Sequence, residues 1–466
     1  AYLSATAAAT SAERLDLQRR ASMQYLASGH FPEGIETLRT VLAAVGMKLP
    51  ETPRKALVTL LAGRARVRLR GLAFRERDAS QIPADQLMRI DVADAATTGL
   101  GMVDSLRAAG FQARHFLWAM ESGEPWRVSR AYAAEACFVS MAGSRGAART
   151  QRAIDALAAL TARLDRVEAD AVLHAVRGIA EFQVGNWRAS LGQCAEAERL
   201  LRERCTGFTW ERTTVQIFMC FCNALLGELR NVANATPVLV KEAQERGDLY
   251  FLTSVLSSVG YYSGLLDDVP ERARRAVADA TARWPVRDNV HMQHFNAMVS
   301  EALVDCYVGE PEHAWAQMAE KWPAFERALF LRVQTLRVSA LWQRSRVAVA
   351  LAARGRRDVL PRAAADTRVL RREKVGYAVA LGTLGAAEVA HLRGDADGAL
   401  RLVTDAERRF DALEMRFHAN CARRQRGRLV GGDEGAALVA RADAYFAAQG
   451  AVRPDKMTSI LAPGFD

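Results

Sequence analysis

A glycine that ends one amphipathic helix shortly before another helix begins recurs along the second half of this chain. The recurrences are Gly185, Gly227, Gly309, Gly355, Gly394 and Gly432. They are separated by 42, 82, 46, 39 and 38 residues, and the long step is close to two steps of 41. Its missing middle falls at Leu266–Pro270, a turn followed by a helix-starting proline. A sustained period of about 40 predicts a stack of similar helical units, since no single helix pair can bury its own apolar face.

The clearest unit covers residues 178–203. Its first helix stops at Gly185, and its second begins at Trp187 and carries an apolar stripe at helical spacing. The residue five positions after a turn glycine is mostly small, as Ser190 is after Gly185. This offset resembles that of the tetratricopeptide repeat. The fold class predicted is therefore all-α, a superhelical array of antiparallel, tetratricopeptide-like helix pairs. An unrelated helical array is the alternative.

The pattern divides the chain into three parts. Residues 1–165 are expected to form irregular helical repeats, residues 166–450 regular repeats, and residues 451–466 a non-helical tail that caps the last pair. Gly123 has the features of a repeat turn, but its distance to Gly185 does not fit the period. We therefore expect an extra helix pair around residues 149–164, within one continuous solenoid.

Composition narrows the protein class. The formal net charge is +10 and most cations are arginine, which permits an acidic partner or nucleic acid and establishes neither. The seven cysteines are scattered along the sequence, a pattern typical of reduced thiols. The sequence has no uninterrupted run of about 18 apolar residues, so it predicts no membrane span. We expect a cytoplasmic protein. Because the first residue is Ala1, we also expect a segment of a longer chain.

The densest basic run has arginine at every second position from 64 to 70. The candidate partner-binding residues are Arg64, Arg66, Arg68 and Arg70. On a helix they spread over a wide arc, so they cannot all face one nucleic-acid backbone. We expect them to form a solvated face or to dock an acidic protein surface.

Motifs for catalysis are missing from the sequence. It contains no phosphate-binding Walker pattern, no zinc helix of the HExxH type and no kinase catalytic loop. His291 and His294 could share one face of a helix, and Asp288 lies one turn before His291. The sequence indicates no third ligand with which they would bind a metal ion. We therefore predict no catalytic, cofactor-binding or metal-binding residue in this segment.

Several short stretches resemble the C-terminal region of large bacterial serine/threonine protein kinases. These stretches are residues 12–21, Gly29-His30, residues 41–50, 68–72, 74–78, 101–104, 202–207 and 245–250, Gln449-Gly450, Met457 and residues 462–465. In that family a kinase domain and an AAA-type signalling ATPase precede a tetratricopeptide-like region. The resemblance implies that the parent protein uses ATP and Mg²⁺ to phosphorylate serine or threonine.

The resulting functional expectation is a non-catalytic scaffold or sensor region. It would bind a protein or small ligand on a concave helical surface and regulate the attached ATPase and kinase modules. A free-standing protein-binding adaptor and a nucleic-acid-binding module of a transcriptional regulator are the alternatives.

Overall fold

Helices account for all the regular secondary structure of the protein in the computed structural model, which describes residues 2–5, 9–285 and 290–465. No β-strand occurs in those residues, so the predicted all-α class is confirmed. The helices are α1 (Tyr2–Ala5), α2 (Ser11–Ala27), α3 (Phe31–Ala44), α4 (Pro53–Arg70), α5 (Ala84–Gly101), α6 (Ser105–Ser122), α7 (Pro125–Ser140), α8 (Ala147–Leu164), α9 (Val167–Val184), α10 (Trp187–Arg204), α11 (Thr209–Leu226), α12 (Leu229–Arg246), α13 (Leu249–Val259), α14 (Tyr262–Leu266), α15 (Pro270–Arg283), α16 (Met292–Val308), α17 (Pro311–Arg327), α18 (Gln334–Ala353), α19 (Leu360–Arg371), α20 (Gly376–Leu392), α21 (Ala396–Ala412), α22 (Arg416–Val430), α23 (Gly432–Ala448) and α24 (Pro454–Ser459). Short 3₁₀ turns lie at Ala79–Gln81, Gly143–Arg145, Phe330–Arg332, Arg357–Val359 and Pro463–Phe465.

Neighbouring helices pack as pairs, an arrangement consistent with an α-solenoid. The first helices of successive pairs begin at Ala84, Pro125, Val167, Thr209, Leu249, Met292, Gln334, Gly376 and Arg416. These starts lie 40 to 43 residues apart. The spacing exceeds the roughly 34 residues of a tetratricopeptide repeat. In one pair the first helix is interrupted, because α13 ends before Gly260 and α14 resumes at Tyr262.

The turn at Gly185 shows why glycine ends these helices. Its φ is 93°, in the left-handed region, and its N–H donates to the carbonyl of Phe182 at 3.1 Å. A Cβ at this position would also lie 2.6 Å from Cδ1 of Tyr377 on α20. Glycine is therefore required both by the backbone conformation and by the close approach of a distant helix.

The N-terminal region is more regular than the sequence predicted. Gly123, with φ of 75°, ends α6 and thus separates two pairs instead of dividing one. Residues 149–164 belong to a single helix, α8, which is the second helix of the pair begun by α7. The predicted extra helix pair is therefore wrong. The regular spacing starts at Ala84, with no change of architecture near residue 165.

The chain also contacts itself over long sequence distances with a constant offset. In three pairs the turn packs against the start of the first helix five pairs later. Thus Ser144 N–H donates to Oε1 of Gln334 at 2.9 Å, and Trp187 packs on Tyr377 with ring centroids 5.1 Å apart. Glu228 pairs with Arg416 at 3.2 Å. The array therefore coils back on itself about every five pairs, and successive coils touch.

The C-terminal tail departs from the prediction. Residues Pro454–Ser459 form α24, so the expectation of a non-helical segment 451–466 is wrong for these six residues. α24 contacts not only the last pair, through α22 and α23, but also α16. The residues after it run along α18 and α20. The tail thus contacts the last pair and also lies against the first helices of three earlier pairs.

One stretch, Leu249–Leu266, has the length and apolar composition to cross a membrane. It spans α13 and α14, and 72% of it is buried inside the fold. Its hydropathy is accounted for by packing against the neighbouring helices.

Candidate peptide-binding channel

The four arginines of the basic run do not form one surface. Arg64 lies toward the interior and forms a bidentate ion pair with Glu135, with both N–O distances 2.6 Å. Gln112 donates to the same carboxylate and accepts from Arg64, and the guanidinium also lies 4.3 Å from the Phe138 ring centroid. Arg64 therefore joins α4 to α6 and α7.

Arg70 is also engaged, whereas Arg66 and Arg68 are not. Arg70 donates to the carbonyl of Ala73 at 2.5 Å and to that of Met120 at 3.3 Å, which fixes the chain leaving α4. Arg66 and Arg68 are exposed, and the ion pairs of the described residues include neither. The four arginines therefore do not converge on one binding site in the structure.

A different site is built on the faces of α18, α20 and α22 that contact the end of the chain. We call this surface the inner channel, and the segment that fills it, residues 454–465, the tail segment. The tail segment is deeply buried, with Met457 and Ala462 at 0% exposure and Ile460 at 1%. The helices that cover it, α16, α18, α20 and α22, are the first helices of four successive pairs.

Three channel side chains hold the main chain of the tail segment. Arg346 of α18 donates to the carbonyl of Ile460, and Gln425 of α22 donates to that of Ala462 at 2.8 Å. Glu388 of α20 accepts the N–H of Gly464 at 3.0 Å. Every second residue from Ile460 to Gly464 is therefore bound through its peptide group, each by a side chain from a different helix. A contact of this kind gives affinity without requiring a particular side chain in the occupant.

The side chains of the tail segment add shape to this recognition. Phe465 lies against His391 with ring centroids 5.2 Å apart. A Cβ on Gly464 would clash with Val349 and lie 2.8 Å from Cβ of Glu388. The inner channel thus accepts an aromatic residue directly after a residue without a side chain, which restricts its occupants.

The polar channel residues lie in a strongly desolvated environment. Arg346 is 1% exposed and Glu388 is 0% exposed. Burial lowers the pKa of Arg346 below its ordinary value. Burial, with the nearby Arg346 cation, also lowers the pKa of His418 to about 3, so this histidine is neutral in the folded protein at neutral pH. Buried polar groups of this kind require partners, and the tail segment supplies one to Arg346 and one to Glu388.

A polar contact at Asp268 fixes the entry of the tail segment. Its carboxylate accepts from Nζ of Lys456 and from the hydroxyl of Tyr307, both at 2.8 Å, and these bonds lower its pKa. Next to it, the N–H of Val452 donates to the carbonyl of Leu266 at 2.9 Å. These contacts repeat the offset of five pairs, so α24 occupies the place where the first helix of a further pair would start.

The histidines singled out from the sequence have structural contacts. His291 Nδ1 accepts from the indole N–H of Trp284 at 3.2 Å, and His291 N–H donates to Nδ1 of His294 at 3.0 Å. Asp288, the third member of that group, lies outside the described residues. Within the described part of the chain, no three His, Cys, Asp or Glu side chains converge as a cation site.

The inner channel was missed because the sequence search looked for dense charge. The signal was the opposite one, an isolated charge in an apolar helix. Glu388 is the only acidic or Lys/Arg residue of α20, whose other residues are mostly Ala, Leu, Val and Gly. A charge at such a position is either costly or partnered, which marks it for attention.

No family model matches the chain, and the comparison with curated proteins finds no match.

Proposed function

We propose that this chain is a non-catalytic helical scaffold whose inner channel binds a short peptide segment of a partner protein. The observation that supports the proposal is the tail segment itself. Arg346, Gln425 and Glu388 hold its peptide groups as they would hold those of a separate peptide. The tail segment is the occupant in this conformation, so a partner segment must displace it.

Competition of this kind depends on effective concentration. A segment tethered to its own site experiences a local concentration of about a millimolar for a short flexible connection. A partner peptide of equal intrinsic affinity would therefore compete poorly until the tail segment is released. The channel is thus suited to regulated binding, in which release of the tail segment precedes capture of the partner.

A steric substitution tests this proposal without removing any part of the chain. Gly464→Val places a side chain against Val349 and Glu388 and should expel the end of the tail segment. A labelled peptide of residues 454–465 should then bind the variant at least about tenfold more tightly than it binds the unaltered chain. The measurement is fluorescence anisotropy, with circular dichroism to confirm that the helices persist.

Gly192→Val provides the matched control. Gly192 also has an ordinary backbone conformation, and a Cβ there would meet nothing within 4 Å. This variant should bind the peptide no better than the unaltered chain does. Adding Glu388→Ala to Gly464→Val should weaken peptide binding, because the acceptor for Gly464 N–H is lost. Equal peptide binding by the unaltered chain and the Gly464→Val variant would show that the tail segment is an integral structural element and would refute the proposal.

A finer form of the proposal rests on the resemblance described above. In it the pairs are tetratricopeptide-like repeats, and the occupied or vacant channel biases the attached AAA-type ATPase and serine/threonine kinase modules of a larger bacterial signalling protein. ATP and Mg²⁺ would act in those modules, and calorimetry of this chain with both should show no binding. All seven cysteines are free and five are buried, which is compatible with the proposed cytoplasmic location.

The two alternatives differ in what supports them. A free-standing protein-binding adaptor would use the same inner channel, and the peptide experiment applies to it unchanged. A nucleic-acid-binding module has less support, because Arg64 and Arg70 are already bonded to other groups of the chain. Two exposed arginines remain from the run, fewer than a phosphate-binding surface ordinarily gathers.

A further inference from the structure

The outer face of α4 carries an exposed apolar stripe. Val58 is 67% exposed, Leu61 61% and Leu69 88%, and Ala62 and Ala65 between them are also exposed. Their spacing places them on one side of the helix. The stripe extends over about 16 Å, or three helical turns, from Val58 to Leu69. Large apolar side chains exposed together in this way are unusual unless they form an interaction surface.

α4 lies outside the regular pairs, which explains why one face is uncovered. Its inner face, with buried Ala56 and Val67, packs on α6, and a Cβ at Gly63 would lie 2.8 Å from Ala113. Helices inside a stack are covered on both sides by neighbouring pairs. α4 has a neighbour on one side, and its outer stripe is left facing solvent.

The charged residues of α4 itself have one sign. α4 contains no aspartate or glutamate, and its ion pairs among the described residues are Lys55 with Glu51 and Arg64 with Glu135. Besides Lys55 and Arg70, the exposed cations near the stripe are Arg54, Arg66 and Arg68. Arg54 lies one turn before Val58, and the other two border the C-terminal end of the stripe. A surface of this charge favours an acidic partner.

The residue types indicate a helix as the partner element. Ala62 and Ala65 form a shallow centre between larger side chains, and small residues at a contact allow a second helix to approach closely. α4 has no aromatic residue, whereas helices that lie in a lipid interface commonly carry Trp or Phe on their apolar side. We propose that the outer face of α4 binds an acidic amphipathic helix of a partner protein.

This surface is separate from the inner channel, so its test does not depend on peptide binding there. The probe is a labelled peptide as long as α4, with leucine at positions i, i+3 and i+4 and glutamate at most others. The full chain should bind it. The variant Val58→Ser/Leu61→Ser should bind it at least about tenfold more weakly. The variant Arg54→Gln/Arg66→Gln/Arg68→Gln should also bind it more weakly, and the affinity of the unaltered chain should fall as salt rises.

Matched controls separate a specific surface from general adhesion. Val238→Ser alters an apolar side chain that is 58% exposed on α12, and Arg441→Gln alters an exposed arginine on α23. Neither should change binding of the probe. Because the altered α4 side chains are exposed, thermal unfolding of the serine variant should match that of the unaltered chain.

Several results would overturn the proposal. Equal affinity for a probe with lysine in place of glutamate, or no binding of the acidic probe, would exclude an acidic helix as the partner. Binding to vesicles containing about one third phosphatidylserine, lost in the serine variant, would assign the face to a membrane surface instead. Self-association in sedimentation experiments, abolished by the same variant, would assign it to a second copy of this chain.

Discussion

The inner channel and the outer face of α4 are the two most distinctive surfaces of this protein, and they differ in how their groups are satisfied. In the inner channel, buried Arg346 and Glu388 bond to the tail segment. On the outer face of α4, apolar and cationic side chains stand in solvent. The first surface is completed by the chain itself, and the second is available to another molecule.

The difference shows that charge density is a poor guide to where a charge matters. Arg66 belongs to the densest basic run in the sequence, yet it is exposed and forms no ion pair among the described residues. Arg346 belongs to no such run and is almost wholly buried. Desolvation increases the energetic effect of each bond at Arg346, whereas water screens Arg66.

The largest loss of stability is expected from Arg346→Ala. The substitution leaves the carbonyls of Ile460 and of the Gln343 side chain without their donor and Glu388 without a nearby cation. We expect the free energy of unfolding to fall by about 4 kcal/mol, measured by chemical denaturation. Arg346→Met, which retains more volume, should cost less. A loss below about 1 kcal/mol would show that the inner channel needs no cation.

The next effect tests whether the basic run is one surface. Arg64→Gln breaks a buried bidentate pair whose side chains are 13% and 9% exposed, and it should cost about 3 kcal/mol of unfolding free energy. Arg66→Gln, two residues away, is the control and should change it by less than about 0.5 kcal/mol. Similar losses in both variants would contradict the division of the run that the ion pair implies.

Periodicity located the pairs from α9 onward, because most of their turns carry a glycine at positive φ and their helices carry apolar stripes. It failed at Gly123, since a glycine that ends the second helix of a pair has the same local conformation as one that ends the first. The turn between α7 and α8 instead contains the 3₁₀ segment Gly143–Arg145. Local patterns therefore identify helix ends without assigning them to a pair.

The inner channel lay beyond sequence reasoning for a different reason. Its hydrogen bonds join residues that are far apart in the sequence. Glu388 and Gly464 are 76 positions apart, and Arg346 and Ile460 are 114 positions apart. Pro454 and Pro463 led to the expectation of a non-helical tail, although proline is well tolerated in the first turn of a helix, where α24 has it. The coiling of the array, which no local window contains, decides where the tail segment lies.

A pH effect of intermediate size should come from His418, which packs against Phe410 and Phe417 beside the channel. Its folded pKa of about 3 lies below the model-peptide value of 6.5. Below pH 6.5 the unfolded chain therefore binds a proton that the folded chain excludes, and stability falls as the pH drops toward 3. The slope should be about 1.4 kcal/mol per pH unit, or about 2 kcal/mol between pH 6.5 and 5.

The test of this effect is the difference in slope between two proteins. His418→Gln should remove one proton from the linkage, so its unfolding free energy should depend less steeply on pH between 6.5 and 5. Other groups, including His291 with a pKa lowered to about 4 by burial, contribute equally to both proteins. Parallel slopes would show that folding does not lower the pKa of His418.

The smallest effect is expected on the exposed side of the comparison. Arg66→Gln/Arg68→Gln alters two side chains that water already solvates. The free energy of unfolding should therefore change by less than about 0.5 kcal/mol, and the helical content should not change measurably. The same pair decides the nucleic-acid alternative. Anisotropy with generic duplex DNA and single-stranded RNA at about 150 mM salt should show no binding tighter than about 10⁻⁶ M, for either protein.

Tighter nucleic-acid binding that disappears in the double variant would mean that two exposed arginines suffice, together with other basic surface, to hold a phosphate backbone. The outer face of α4 would then be a nucleic-acid surface and its apolar stripe incidental. Tighter binding that persists in the double variant would place the nucleic-acid surface elsewhere on a chain of net charge +10. We expect neither, because the cations of α4 border an apolar stripe, and apolar side chains desolvate a protein contact while adding little to a phosphate contact.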